Sequence, residues 1–542
     1  MLPRHLFRNG LIIFLNTLLL LALLEGGLRV AYWIRNSTVD VMVLPYTAAQ
    51  DWGTLPPWID GLRILEDDPV LLWRNRPGAR RAYLDVYAPA HDETDRIALI
   101  QQFIPRVPEL LRGQPRWDVA ISSQGFRERE FTQEKAPSAF RIICLGDSWT
   151  FGANVNQQEA YPQRLASLLA ERYPEARFEV LNLGVMAYTS RQGLELLRRQ
   201  ILDLQPDLIL VGFGMNDAIV QGWRDNDAVG RPNERPNRRR WQDHLESYKL
   251  VRFWQARALH KPWTIGDYLH RVAKDDGTPD AIWTGRQASE AADYDKLEAI
   301  VRVSPKDYEV NLGTIIDLAR SRGADAIVMF NELWSTPYQA AAEKVARSKQ
   351  TPFVNSKALI DGLRQGAERE LETRLGLQAT GEQSADRADG LVEVVFRVHA
   401  DRWPVPTALY ITGNHPSLGD EVPNRVALHD DGTRGDQRAG DGVWSYTGRF
   451  APGTRLFYVY TNSGREGHWE GVDIPDLRFL VVPSTGPVYR PIEAFGSLRF
   501  QADGWHTNGV GYDLIARTIA DVVETHPKVR EHLARRAKAQ GP

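Results

Sequence analysis

The sequence predicts an α/β fold with a parallel sheet, preceded by one apolar helix and interrupted by a smaller β-rich unit. From Phe140 onward, short apolar runs alternate with segments of helical period, which is the pattern of strand–helix–strand units with right-handed crossovers. Residues 391–482 instead alternate apolar and polar side chains with period two between Asp-Gly and Pro-Gly turns. Near the N-terminus, Leu11–Leu24 is nearly all apolar. These three observations predict three kinds of structure in one chain.

Length and charge limit the alternatives. The chain has 542 residues, more than one hydrophobic core usually serves, so several domains are expected. A net charge of −3 leaves no basic excess to neutralise phosphates, which excludes nucleic acid as a partner. We interpret the basic run 235–240 as a solvated loop. Cys144 is the only cysteine and is predicted to be a small core residue.

Residues 1–35 are predicted to be a cytoplasmic N-terminus and a transmembrane anchor. Leu11–Leu24 is shorter than the roughly 20 residues that a bilayer needs, and its extension to Ile34 includes Glu25 and Arg29, an i,i+4 pair. Basic residues precede the segment, so we expect a single-pass protein of the cell membrane with its folded domains on the periplasmic side. A cleaved signal peptide is the alternative, but no Ala-x-Ala site follows.

The α/β domain is predicted in two parts. Residues 36–137 are rich in Pro, Trp and Arg and are expected to pack on this domain, whose first part spans 138–377. A linker at 378–390, the β-rich unit at 391–482 and the second part of the α/β domain at 483–542 follow. Residues 219–300 are expected to form a helical excursion over the edge of the sheet. The predicted strands are 140–145, 178–183, 207–212, 324–330 and 352–354, and the predicted helices are 161–173, 191–204, 308–320 and 357–375.

Four short motifs carry the chemistry. Gly-Asp-Ser ends at Ser148 after the first strand, Gly184 ends the second strand, and Gly-Met-Asn-Asp around Asn216 ends the third. Asp503-Gly504-Trp505-His506 lies near the C-terminus. Because parallel strands end at one edge of a sheet, the first three motifs are expected to meet there. A serine needs a base to become a nucleophile, and the base needs an orienting acid, which the fourth motif can supply.

In this order the motifs resemble those of the SGNH hydrolases, also called the GDSL esterase/lipase superfamily. The resemblance implies a flavodoxin-like domain in which Ser148 is the nucleophile, His506 the base and Asp503 its orienting acid. It also implies an oxyanion hole made by the backbone N–H groups of Ser148 and Gly184 and the side chain of Asn216. The stretch 121–127 resembles the lead-in of membrane-attached members, whereas tryptophan at position 149 replaces a frequent leucine. Asp147 and Asp217 are expected to hold the loops.

The β-rich unit resembles the immunoglobulin-like starch-binding and glycogen-binding modules. The similarity lies in Tyr410–Asn414, Val443–Ser445 and Phe457–Tyr460. Glu421 stands where these modules often have a sugar-stacking tryptophan, but Trp469 is present and is the candidate sugar-binding residue. Glycan binding and a structural or partner-docking role both remain open. The acidic stretch 430–442 could bind calcium or could form Asp-Gly turns, and turns are favoured because the EF-hand spacing is not met.

Together these features predict a serine esterase that removes acyl groups, such as O-acetyl, from an extracytoplasmic carbohydrate. No metal-ligand spacing accompanies the motifs, so neither a metal nor a cofactor is expected. An O-acyltransferase that uses the same acyl-serine is an alternative, because only water exclusion and the shape of the pocket would separate the two. A non-catalytic scaffold that binds glycan or a protein is the alternative of another class.

Overall fold

The computed structural model describes residues 4–37, 61–84, 116–219, 224–231, 241–259, 301–332, 337–375, 390–400, 408–420, 422, 424–462, 478–495 and 506–539. Asp503, Trp469, Glu421 and the basic run 235–240 lie outside these residues, as does most of 219–300. The predictions made for them therefore stay predictions.

The N-terminal part consists of one long helix and two hairpins. The bounds are α1 (Arg4–Ser37), β1 (Leu65–Asp68), β2 (Leu72–Asn75), β3 (Arg80–Leu84) and β4 (Arg116–Ala120), and β1–β2 and β3–β4 are antiparallel pairs. Both hairpins add apolar side chains to the core of the α/β domain. Trp73 of β2 also donates its indole N–H to the carbonyl oxygen of Met186 at 2.9 Å. The hairpins therefore pack on this domain.

The central sheet has five parallel strands. They are β5 (Ala139–Gly146), β6 (Arg177–Asn182), β7 (Leu208–Gly212), β8 (Asp325–Phe330) and β9 (Phe353–Asn355). Their spatial order is β6-β5-β7-β8-β9, and every neighbouring pair is parallel. This is the 2-1-3-4-5 order of flavodoxin-like folds, whose ligands bind at the carboxyl ends of the strands beside the first one. The prediction of an α/β fold with a parallel sheet is confirmed.

Helices cover both faces of this sheet. The helices after α1 are α2 (Ser148–Phe151), α3 (Tyr161–Arg172), α4 (Ser190–Leu196), α5 (Asp225–Ala228), α6 (Glu246–Leu259), α7 (Pro305–Ser321), α8 (Pro337–Ser348), α9 (Ser356–Leu375), α10 (Gly509–Thr525) and α11 (Pro527–Ala539). Ile143 of β5 belongs to the core under α4, α7 and α8, and its neighbour Ile142 belongs to the core under α3, α9 and α10. Cys144 is fully buried in the second core, as predicted. Burial on both faces explains why these strands are apolar at consecutive positions.

The β-rich unit contains two sheets. Its strands are β10 (Val392–His399), β11 (Leu409–Gly413), β12 (Val426–Ala427), β13 (Val443–Phe450), β14 (Arg455–Asn462), β15 (Arg478–Val481) and β16 (Val488–Ala494). One sheet has the order β13-β10-β16 and the other β12-β11-β14-β15, and side chains of both form one core. Because β16 pairs with β10, this unit extends beyond the expected boundary at 482. Arg397 of β10 pairs with Glu372 of α9 at 2.8 Å, which ties it to the α/β domain.

Candidate active site

Ser148 lies at the sharp junction between β5 and α2, at the carboxyl edge of the sheet. Asp147 caps α2, and its Oδ1 accepts a hydrogen bond from the backbone N–H of Trp149 at 3.0 Å. A Cβ atom at Gly146 would lie 2.1 Å from Oγ1 of Thr150, so the turn is too tight for any other residue. The Gly-Asp-Ser sequence is thus a strand end, a helix cap and a helix start in succession.

Arg127, at the end of the predicted lead-in, holds the chain that follows Ser148. Its guanidinium is fully buried and donates hydrogen bonds to four carbonyl oxygens: Asp118 at 2.5 Å, Val155 at 2.7 Å, Phe151 at 3.2 Å and Gly152. Burial lowers the pKa of Arg127 to about 10. The carbonyl dipoles converge on the cation, so Arg127 connects the lead-in to α2 and to the turn after it.

His506 meets Ser148 although 358 positions separate them. Its Nε2 lies 2.8 Å from Oγ of Ser148, and the two side chains are only 2% and 5% exposed. The His506 ring packs beside Trp149, with the ring centroids 6.2 Å apart. Asn508 caps α10 immediately afterwards, accepting hydrogen bonds from the N–H groups of the first turn. The geometry is that of a hydroxyl and a base within proton-transfer distance. The contact expected between Asp503 and His506 stays a prediction.

The two oxyanion-hole residues predicted outside the nucleophile turn also lie at this edge, but each makes an internal hydrogen bond. Asn216 donates through Nδ2 to Oδ2 of Asp147 at 3.1 Å, and a second N–H remains on the same amide. The backbone N–H of Gly184 donates to Oδ1 of Asn182 at 3.1 Å. A Cβ at Gly184 would lie 2.3 Å from the backbone nitrogen of Phe151. The close approach expected of this glycine is therefore present, whereas its N–H points to a side chain that sequence reasoning missed.

Three buried carboxyl groups lie in or beside the Gly-Met-Asn-Asp loop. Burial raises the pKa of Asp147 to about 7 and that of Asp217 to about 8. Burial, together with the charges of these two neighbours, raises the pKa of Glu332 well above its ordinary value. Glu332 is 1% exposed, and its Oε1 has no hydrogen-bond partner among the described residues. We call these three residues the edge carboxyls.

Sequence reasoning missed Glu332, although a signal existed. It stands two residues after β8, at the same edge where β5, β6 and β7 present their motifs. A Cβ at Gly214, whose φ is +154°, would lie 3.0 Å from Oε1 of Glu332. Glu332 therefore touches the loop that carries Asn216, and the strand-end argument used for the other motifs applies to it as well.

Asp217 is anchored as expected, within a larger polar cluster. Both of its oxygens accept from the backbone N–H of Ser190 at 3.1 Å, at the start of α4. Beside it, Arg302 and Asp225 form a fully buried ion pair at 2.7 Å, and Arg302 also donates to Gln192 at 2.7 Å. Breaking a buried pair leaves an uncompensated charge, so these contacts stabilise the packing around Asp217.

The described residues include one cluster of carboxylates that could hold a metal ion, and it is not at this edge. Oxygen atoms of Asp430, Asp436 and Asp441, in the loop between β12 and β13, lie within 4.8 Å of one another. The same carboxylates accept hydrogen bonds from backbone N–H groups of residues 432–443. We call these three residues the loop carboxylates.

Residues 144–372 match the GDSL-like Lipase/Acylhydrolase family. The chain contains a GDSL-type hydrolase domain. The matched range includes Ser148, Gly184 and Asn216 and ends before His506, so the assignment of His506 depends on its distance from Ser148. The match supports the prediction of a serine hydrolase that acts on esters.

The individual relatives share little sequence identity with this chain or match only a short part of it. An acetylxylan esterase of Xylanibacter ruminicola is 29% identical over 93 residues, which is 16% of this chain and 18% of that protein. The chain thus spans less than a fifth of the length of this curated relative.

Two solved structures are similar over longer ranges. An acetylxylan esterase from Geobacillus stearothermophilus is 15% identical, covering 42% of this chain and 80% of that one, with a TM-score of 0.24. An α/β hydrolase from the Lake Arreo metagenome is 16% identical, covering 43% and 84%, with a TM-score of 0.25. Similarity at these TM-scores establishes neither a shared fold nor a shared function.

Proposed function

We propose that the chain is a membrane-attached serine esterase that hydrolyses O-acyl groups, such as O-acetyl, on an extracytoplasmic carbohydrate. The observation that carries this proposal is the 2.8 Å distance between Oγ of Ser148 and Nε2 of His506, at the carboxyl edge of a flavodoxin-like sheet. The match of residues 144–372 to the GDSL-like family supports the same chemistry.

In the proposed reaction, Oγ of Ser148 attacks the ester carbonyl carbon while Nε2 of His506 takes the hydroxyl proton. The tetrahedral oxyanion is stabilised by the backbone N–H of Ser148 and by the second N–H of Asn216. The N–H of Gly184 joins them if the Asn182 side chain moves aside. Collapse expels the alcohol, which takes the proton from His506 and leaves an acyl-serine. A water molecule then repeats the sequence, releases the acid and restores Ser148, with Asp503 orienting the imidazole.

The substrate class rests on two supports. The Xylanibacter relative is named an acetylxylan esterase, which is consistent with an acetylated polysaccharide. The β-rich unit at 391–494 resembles starch-binding modules in sequence, and two sheets with a shared core are consistent with such a β-sandwich. We propose that it presents glycan to the enzyme, with Trp469 as the stacking residue.

The membrane attachment rests on α1. Residues 8–37 form a continuous helix with a mean hydropathy of 2.2 over its most apolar window, none of which is buried. Glu25 and Arg29 form the expected pair, with Nε of Arg29 donating to Oε1 of Glu25 at 2.9 Å. Glu25 also accepts hydrogen bonds from the backbone N–H groups of Glu246 and Ser247. These contacts join the second half of α1 to α6 and favour an uncleaved single-pass anchor over a signal peptide.

The test is ester hydrolysis by the full chain in detergent or nanodiscs, with p-nitrophenyl acetate, butyrate and octanoate and with an acetylated polysaccharide. Ser148→Ala should lower kcat on the order of 10⁴-fold or more, because it removes the nucleophile. The matched control is Ser167→Ala on the exposed face of α3, which should leave kcat unchanged.

Each outcome separates the alternatives. Preference for acetate together with release of acetate from the polysaccharide supports the proposal. Labelling of Ser148 by a fluorophosphonate with transfer of the acyl group to a sugar, and little hydrolysis, would make the chain an acyltransferase. Neither labelling nor turnover would leave the scaffold as the function.

A further inference from the structure

Exposed tryptophan side chains mark the end of α1, α6 and the turn before α6. Three tryptophans among the described residues are strongly exposed: Trp33 at 71%, Trp241 at 76% and Trp254 at 58%. Trp33 lies near the end of α1, and the other two lie on residues 241–259, which pack against α1. Outside α1 and this segment, the large apolar side chains exposed in the described part of the chain are isolated valines and one leucine. Exposed tryptophan is therefore concentrated at one place.

The contact between α1 and α6 is specific. Glu25 accepts the backbone N–H groups of Glu246 at 2.9 Å and of Ser247 at 3.1 Å, which are otherwise unsatisfied donors of the first turn of α6. Arg29 donates to the carbonyl oxygen of His244 at 2.7 Å. A carboxylate at a helix N-terminus is further favoured by the helix dipole. The start of α6 is thus held beside α1 at the level of Glu25.

The length of α1 places this level at the surface of a bilayer. Leu11–Leu24 rises only about 21 Å at 1.5 Å per residue, against a hydrocarbon core of about 30 Å. Six more residues, up to Val30, complete a rise of about 30 Å. Arg29 then lies at the membrane interface and Glu25 one helical turn below it, with their charges paired and the start of α6 beside them.

The exposed face of α6 suits this position. Val251 and Trp254 are three residues apart on one side of the helix and are 54% and 58% exposed. Arg252 is exposed on the neighbouring side. Apolar and tryptophan side chains beside an arginine are typical of helices that lie in the plane of a lipid interface.

We propose that residues 241–259 form a second membrane contact, an interfacial helix that lies on the lipid surface beside α1. The partner is the bilayer, entered by Trp241, Val251 and Trp254. This inference rests on the proposal that α1 spans a membrane. The consequence is a domain held close to the membrane plane by two attachments, instead of one that swings on a single helix.

The experiment uses the full chain in nanodiscs that contain phosphatidylcholine and phosphatidylglycerol. Single cysteines replace Leu19 in the span, Val251 on α6 and Val510 on α10, and each carries an environment-sensitive fluorophore. Val510 is the matched control, because it is also a helical valine and is 55% exposed against 54% for Val251. Cys144 is fully buried, so the unchanged chain serves as the labelling blank. Quenching by nitroxide lipids is compared with quenching by aqueous iodide.

The Val251 probe should be quenched several-fold more by a nitroxide near the headgroup than the Val510 probe, and less by iodide. If the Leu19 probe is quenched by lipid while the Val251 and Val510 probes behave alike, the interfacial helix is wrong and the anchor stands. If the Leu19 probe also escapes the lipid quencher, both proposals are overturned.

Discussion

The chain contains two sets of three acidic side chains, and they are held in opposite ways. The edge carboxyls, Asp147, Asp217 and Glu332, are fully buried, and burial raises all three pKa values. The loop carboxylates lie between β12 and β13, where six backbone N–H groups donate to them. Only Asp436 of that set is buried, and its pKa is raised by burial and by its two acidic neighbours.

The difference shows that the supply of donors and the access to water decide the state of a carboxyl group, whereas the number of acidic residues does not. In the loop, backbone N–H groups point inward because glycines allow the chain to turn there. At the edge of the sheet, Asp147 and Asp217 also accept hydrogen bonds, but burial outweighs them and favours the neutral form. The loop carboxylates shape a turn, and the edge carboxyls hold the residues that surround Ser148.

The largest effect should come from removing one of the edge carboxyls. Asp147→Ala removes the cap of α2 and the acceptor that orients Asn216, so kcat for p-nitrophenyl acetate should fall on the order of 10²-fold. The matched control is Asp436→Ala, which removes a buried carboxyl from the other set and should leave kcat unchanged. Equal kcat values for Asp147→Ala and the unchanged chain would show that Asp147 supports catalysis no more than the loop carboxylates do.

The second effect is on the pH dependence of stability. Because burial raises the pKa of Glu332 in the folded chain, its stabilising contribution is present below its ordinary pKa and is lost as pH rises through the raised folded value. Between these two values each pH unit lowers the free energy of unfolding by up to about 1.4 kcal/mol. With Glu332→Gln, the free energy of unfolding should therefore fall less steeply as pH rises. The excess of this free energy over that of the unchanged chain should grow from pH 5 to pH 8. Urea unfolding across this range is the measurement; parallel curves for the two proteins would contradict a raised pKa.

A smaller effect is expected in the loop. Asp430 accepts the N–H groups of Gly440, Asp441 and Gly442. Asp430→Ala leaves these donors without that acceptor and should destabilise the β-rich unit by about 1–3 kcal/mol. Amide hydrogen exchange at the three donors should accelerate, while exchange in β5 and β7 should not. In the control, Asp431→Ala, only contacts with Thr433 among the described hydrogen bonds are lost, so little change is expected.

The smallest effect separates turns from a calcium site. If the loop carboxylates only shape turns, calcium should leave the melting temperature of the unchanged chain where it is. Binding with a dissociation constant of about 10 µM would instead stabilise the chain by about 2.7 kcal/mol when the free calcium concentration is about one hundred times that constant. Asp436→Asn is the companion variant, because a rise that persists in it would point to calcium binding elsewhere.

Much of the fold and part of the site could be predicted. The alternation of apolar runs with helical segments predicts the parallel sheet, because strands buried on both faces must be apolar at successive positions. Ser148, Gly184 and Asn216 could be placed together, because each follows closely on the end of a strand of that sheet. Their hydrogen bonds could not be predicted. Asn182 occupies the N–H of Gly184 through the local path of the loop, which a motif does not specify.

The sequence by itself determined the strands, the helices and the order of the motifs, because these depend on side-chain period and on interactions within a few residues. The tertiary structure alone decided that His506 lies 2.8 Å from Ser148 and that Arg127 holds the chain after α2. It also decided that burial and the neighbouring Asp147 and Asp217 raise the pKa of Glu332 well above its ordinary value. Charge state and proton-transfer distance depend on burial and on groups hundreds of residues away, and no local pattern encodes them.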